Sequence, residues 1–147
     1  MRVSQILAGK RADLIMVRPA ATIAAVIKLM SEEHVGAVLV VDDDERLLGV
    51  VSERDVVRGL ASQGVGLLAR DVVSVARRDA PVASLDDSTQ QLMECMTRTR
   101  ARHVPVVRYG RVVGIVSIGD VVKSRLDEQT RENSVLQELA RSQFFAS

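Results

Sequence analysis

The chain has 147 residues, 20 Lys plus Arg against 19 Asp plus Glu, a formal net charge of +1, 47% apolar residues and 2% aromatic ones. That apolar content, together with 27% charged residues, excludes a disordered tail, and the length allows one domain or two small ones sharing a core. Near-neutral charge with one Tyr, two Phe and no Trp argues against a nucleic-acid partner, which calls for a basic surface or aromatic stacking platforms.

Taken in order, the first seventeen residues contain no long apolar stretch, and Asp13 interrupts the place where one would lie, so no signal peptide is expected. A short strand is expected over Leu14–Val17. Thr22 then caps a helix whose Ile23, Val26, Ile27 and Met30 form one apolar face. Two β-branched strands follow, joined by the turn Asp42-Asp43-Asp44-Glu45. A second helix starts at Ser52. Gly64 and Gly66 are expected to end it and loosen the connector from about Ala61 to Val73.

The same order then recurs: a strand over Pro81–Ala83, and a helix capped by Ser88 with Leu92, Met93 and Met96 on one face. Two strands around Arg108-Tyr109-Gly110-Arg111 and a helix from Ser117 complete it. Residues 49–57 read GVVSERDVV and residues 114–122 read GIVSIGDVV, so the pattern β-α-β-β-α occurs twice. The expected fold is mixed α/β (α+β). Its divisions are 1–62 for the first repeat, 63–72 for the linker, 73–125 for the second repeat and 126–147 for a C-terminal helical tail. In the tail, Leu126, Val135, Leu136 and Leu139 are spaced for a helix that Phe144-Phe145 close, solvated or facing a second copy.

No run approaches the roughly 18 consecutive apolar residues of a membrane span, and the single Cys95 excludes an internal disulfide and fits a reducing compartment. A cytoplasmic protein with no membrane partner is expected. Catalysis is not. There is no G-x-S-x-G elbow and no G-x-x-x-x-G-K-[ST] loop. Two His and one Cys do not make a structural zinc site, and Cys95 reads as a small hydrophobe on a buried helix. The acidic turn at Asp42 could draw Mg²⁺ but lacks calcium-loop spacing and reads as a solvated turn.

The Gly-apolar-apolar-Ser-x-x-Asp segments carry two readings. Ser-x-x-Asp is a capping-box start, with Ser on the helix amides and Asp near the positive end of the helix dipole. The same geometry suits a ligand: a helix N-terminus offers N–H groups to a phosphate, Asp can accept two hydrogen bonds from a ribose diol, and Gly permits close approach.

The doubled β-α-β-β-α order, closed by GVVSERD and GIVSIGD, resembles a tandem pair of CBS domains, the Bateman module, over residues 1 to about 125. The resemblance implies two repeats packed through their sheets with pseudo-twofold symmetry and an adenosine ligand in the cleft between them. AMP, ADP or ATP is expected, with NADH or S-adenosylmethionine as the alternative, or an empty cleft in a structural adaptor. No cofactor is implied. Carried over, Ser52 and Asp55 hold ribose and phosphate in one site, and Ser117 and Asp120 in the other. Such pairs commonly form homodimers, and here the signal would pass to an unknown downstream protein.

Arg102 and His103 open the strand Val104–Val107 within an Arg-rich stretch. They are either solvated charges or a phosphate grip, Arg as a fork donor and His as an adjustable one. The first repeat has Gly36 and Ala37 at the matching places, so two unlike sites are expected. His34, matching Arg100, reads as structural or surface. Similar modules hold adenine between aliphatic side chains, which here implies Ile15 and Ile115, with Ala37 close by. Arg54 and Lys123 flank the motif helices, where a polyphosphate could reach them.

Overall fold

A computed structural model describes residues 1–9 and 14–146. Asp13 and the side chains of Phe144 and Phe145 lie outside the described residues. In chain order the elements are α1 (Val3–Ala8), β1 (Met16–Val17), α2 (Ile23–Glu33), β2 (Ala37–Val41), β3 (Leu47–Ser52) and α3 (Glu53–Gln63). They continue with α4 (Thr89–Thr99), β4 (His103–Arg108), β5 (Arg111–Ser117) and α5 (Ile118–Ala146).

The first repeat is a sheet in the order β1-β2-β3, with β1 parallel and β3 antiparallel to β2. Every residue of β2 is buried, and successive side chains go to opposite faces. Val38 and Val40 join Ile23, Val26 and Met30 of α2, whereas Ala37, Leu39 and Val41 face the other repeat. The Thr22 hydroxyl accepts the Ala25 N–H (3.2 Å), the expected N-cap. At the Asp42 turn, that carboxylate accepts the backbone N–H groups of Asp44 and Arg46 (2.9 Å each), so it serves the turn itself.

In the second repeat β4 and β5 form an antiparallel pair whose turn places Tyr109 and Gly110 at φ 53° and 77°, the geometry that matches strand twist. The expected strand over Pro81–Ala83 reduces to one parallel bridge, from Ala83 to Val106. Two residues of that segment are a proline, which lacks an N–H, and an exposed valine. Leu92 and Met96 are buried as the periodicity requires, but Met93 is 36% exposed, and Cys95 is half-buried rather than buried.

The connector is not loose. Its 3₁₀ turns at Gly64–Ala69 and Val72–Ser74 place Leu67 and Val72 in the first repeat's core with no exposure. A side chain on Gly59 of α3 would meet Leu67 at 2.7 Å, so the missing Cβ is the notch that seats the connector. Arg77, further along, exchanges both backbone hydrogen bonds with Val50 of β3 (3.1 and 2.9 Å).

The segment ahead of each repeat follows the same plan. Ile23 donates to the Arg70 carbonyl (2.9 Å) and Val72 to that of Ala21 (2.7 Å). Likewise Thr89 donates to Met1 and Val3 to Asp87 (2.9 Å each). Thus the connector completes the first repeat, while α1, at the other end of the chain, completes the second, with Val3 and Ile6 in its core. Between the repeats, Ala37, Leu39, Val41 and Val50 meet Val112 and Ile115 of β5 in a shared apolar core. The C-terminal tail is helical as expected and continues the second motif's helix, α5 running unbroken for 29 residues. No described helix is long and apolar enough to cross a membrane.

Candidate functional site

Each motif helix starts on a reciprocal cap. The Ser52 N–H and hydroxyl both donate to Asp55 Oδ2 (2.9 Å each), and the Asp55 N–H donates back to Ser52 Oγ (3.3 Å). The Ser117 N–H donates to Asp120 Oδ2 (2.8 Å), and the Asp120 N–H to Ser117 Oγ (3.2 Å). Both motifs are therefore capping boxes with Asp in the place of the usual Glu. The cap uses Oδ2 of Asp55; Oδ1 takes no hydrogen bond among the described residues.

A second pair of matching contacts fixes what faces the caps. Glu53 donates its N–H to the Gly36 carbonyl (3.0 Å), and Ile118 donates to the Arg102 carbonyl (2.8 Å). The residue ahead of β2 and the residue ahead of β4 are thus equivalents, Gly in one repeat and Arg in the other. His34 and Arg100 are equivalents too: both are left-handed caps of their helices, at φ 54° and 55°.

Between the repeats lies a cavity of about 430 Å³. The first repeat contributes Ser52 and Asp55, and Arg102 and His103 come from the second. Gly36 lies opposite His103: a Cβ there would stand 3.4 Å from the imidazole Cε1 and Nε2, so the glycine keeps that wall open. Val50, Ala80 and Ala101 give apolar patches. Of the residues expected in binding, Ser52, Asp55, Arg102 and His103 are brought together here. Ser117, Asp120, Ile15, Ala37 and Ile115 do not line this cavity. Ala37 and Ile115 are buried in the inter-repeat core, and half-buried Ile15 packs on the first repeat's core.

The cavity also gathers Arg54, Arg58, Arg77 and Arg100, which with Arg102 makes five guanidinium groups. Glu53 and Asp55 are the acids that line it. None of the five arginines makes an ion pair among the described residues. Like charges around one volume repel, and an anion inside relieves them. Arg58 and Arg77 are not among the residues expected from sequence, and Arg100 is expected there only as part of the Arg-rich stretch. Arg58 could have been found from its i, i+4 spacing to Arg54 on α3. Arg77 reaches the cavity only because the connector bridges to Val50. Among the described residues no cluster of His, Cys, Asp and Glu could hold a metal ion.

Comparison with known proteins adds the following. The CBS domain family model matches residues 3–62 and 69–127. The chain is 30% identical over 132 residues to an uncharacterized 17.7 kDa protein of Acidianus ambivalens, covering 89% of this chain and 77% of that one. It is similar to the crystal structure of the CBS-domain containing protein ATU1752 from Agrobacterium tumefaciens, with 39% identity, a TM-score of 0.81 and coverage of 85% of this chain and 99% of that one. It is also similar to the CBS domain protein PAE2072 from Pyrobaculum aerophilum complexed with AMP, with 31% identity, a TM-score of 0.73 and coverage of 82% and 89%.

Proposed function

The chain belongs to the CBS-domain family, and from that premise we propose that it is a non-catalytic regulatory module that holds an adenosine nucleotide in the cleft between its repeats. The observation that carries this reading is the cavity that joins Ser52 and Asp55 of one repeat to Arg102 and His103 of the other. Its polar groups suit the two ends of a nucleoside phosphate. The unoccupied Oδ1 of Asp55 can accept from ribose hydroxyls while Oδ2 keeps the cap. Arg102 and the further arginines can fork onto phosphate oxygens. The AMP complex of the Pyrobaculum relative supports the same ligand class.

AMP, ADP and ATP are the proposed ligands. By the repeat's symmetry Ser117 and Asp120 would form a second, less basic site, with Ile15, Ala37 and Ile115 near the adenine walls. A ligand touching both repeats favours the arrangement that best fits it, and that difference in affinity is the signal. The signal would pass to a protein partner or to self-association of a homodimer.

Calorimetric titration with AMP, ADP, ATP, NADH and S-adenosylmethionine tests the proposal. Saturable binding of AMP, ADP or ATP is expected. Heat with NADH or S-adenosylmethionine alone would replace the ligand, and no heat with any of the five at millimolar concentration would leave an adaptor with an empty cleft.

A further inference from the structure

The cavity between the repeats carries more positive charge than one phosphate group uses. Arg54, Arg58, Arg77, Arg100 and Arg102 line it, against the carboxylates of Glu53 and Asp55. Oδ2 of Asp55 is already committed to the Ser52 cap. A monophosphate carries about −1.5 to −2 at neutral pH and has three terminal oxygens. A guanidinium fork takes two oxygens at a time, so one or two forks occupy that group. Arg100 and Arg102, at the start of the second repeat's strand pair, already supply that many.

Two of the surplus groups flank the Asp55 cap. Arg58 follows Asp55 by three residues on α3, so the two share a helix face, separated by about 4.5 Å of axial rise. Arg77 is fixed from the strand side: its backbone exchanges both hydrogen bonds with Val50 (3.1 and 2.9 Å), two residues before Ser52. Both side chains are exposed, and neither makes an ion pair among the described residues. Arg78, the next residue in the chain, does not line the cavity.

Resting on the nucleotide site argued above, we propose that the cavity reads phosphate number. Arg58 and Arg77 hold the second and third phosphates of a nucleoside triphosphate, while Asp55, Arg100 and Arg102 hold the part common to AMP, ADP and ATP. The free cavity keeps five like charges around one volume, and each added phosphate removes more of their repulsion. A triphosphate brings about four negative charges where a monophosphate brings roughly two, and its longer chain offers oxygens to more of the forks. Affinity therefore climbs from AMP to ADP to ATP. In an equal mixture the triphosphate is the resident ligand.

Calorimetric titration of the full chain with AMP, ADP and ATP, in buffer free of divalent cations, tests this selectivity. ATP is expected to bind at least about tenfold tighter than AMP, with ADP between them. In the double variant Arg58→Gln with Arg77→Gln, ATP should lose about tenfold or more and AMP far less, so that their ratio falls below about threefold. Both side chains are exposed, so the variant without ligand should unfold at the wild-type temperature. A matched control, Arg70→Gln with Arg78→Gln, removes the same charge at exposed positions outside the cavity and should keep the preference for ATP. Equal affinity for AMP and ATP, a preference that survives the loss of Arg58 and Arg77, or the same loss in the control would overturn the proposal and leave the nucleotide site standing. No heat with any of the three nucleotides would remove the site itself, and this selectivity with it.

Discussion

The substitution Asp55→Asn separates the two duties of the motif carboxylate. In the structure Oδ2 accepts two hydrogen bonds from Ser52 and no described residue uses Oδ1. The amide oxygen of Asn can take over both cap bonds. Stability then loses only the favourable interaction of a negative charge with the helix N-terminus, about 0.3–1 kcal/mol. For a chain of this size that is a fall in Tm of roughly 1–4 °C. The ligand loses more. Where Oδ1 stood there is now an NH₂ group, which cannot accept from a ribose hydroxyl. A hydrogen bond to a charged group contributes about 1.5–3 kcal/mol, so one such loss weakens binding roughly 10- to 150-fold. Thermal unfolding and calorimetry on one preparation read both quantities. If Asn binds nucleotide as well as Asp does, Asp55 is a cap and nothing more, and the site assignment fails.

Three further substitutions probe the surroundings. Gly36→Leu would push a side chain past His103 into the cavity, and Gly36 has no positive φ that forbids it. The fold should survive and nucleotide affinity drop by about tenfold or more, near 1.4 kcal/mol; unchanged affinity in calorimetry would move the ligand elsewhere. Leu67→Ala should destabilise by about 2–5 kcal/mol in urea unfolding, because the side chain is wholly buried. A loss below about 1 kcal/mol would mean that the connector contributes little to the core. His34→Gly should stabilise by roughly 0.5–1 kcal/mol, since a left-handed cap at φ 54° suits glycine; a lower Tm would show that the imidazole contributes more than the strain costs.

The local features were readable because they are set by neighbours in the chain. Thr22, Ser52, Ser88 and Ser117 each cap the helix that follows, and the matching of Gly36 with Arg102 survives as matching backbone hydrogen bonds. What escaped depends on distant contacts. Gly64 and Gly66 suggest looseness, yet Leu67, just beyond them, is seated in the notch at Gly59 of α3. Met93 follows the helical period but sits at a groove beside α5 rather than under it. The charge of the cavity depends on distant contacts too: Arg77 and Arg100 lie apart in the chain, and only the packing of connector and second repeat makes both line the cavity with Asp55. A net charge of +1 therefore coexists with five guanidinium groups around one small volume.

The central claim is that one nucleotide spans the two repeats, and a crystal structure of the chain grown with AMP tests it most directly. The ribose hydroxyls should lie within hydrogen-bond distance of the Asp55 carboxylate, with the phosphate among Arg102, His103 and the neighbouring arginines. AMP bound elsewhere, or bound with neither Asp55 nor Arg102 in contact, would contradict it.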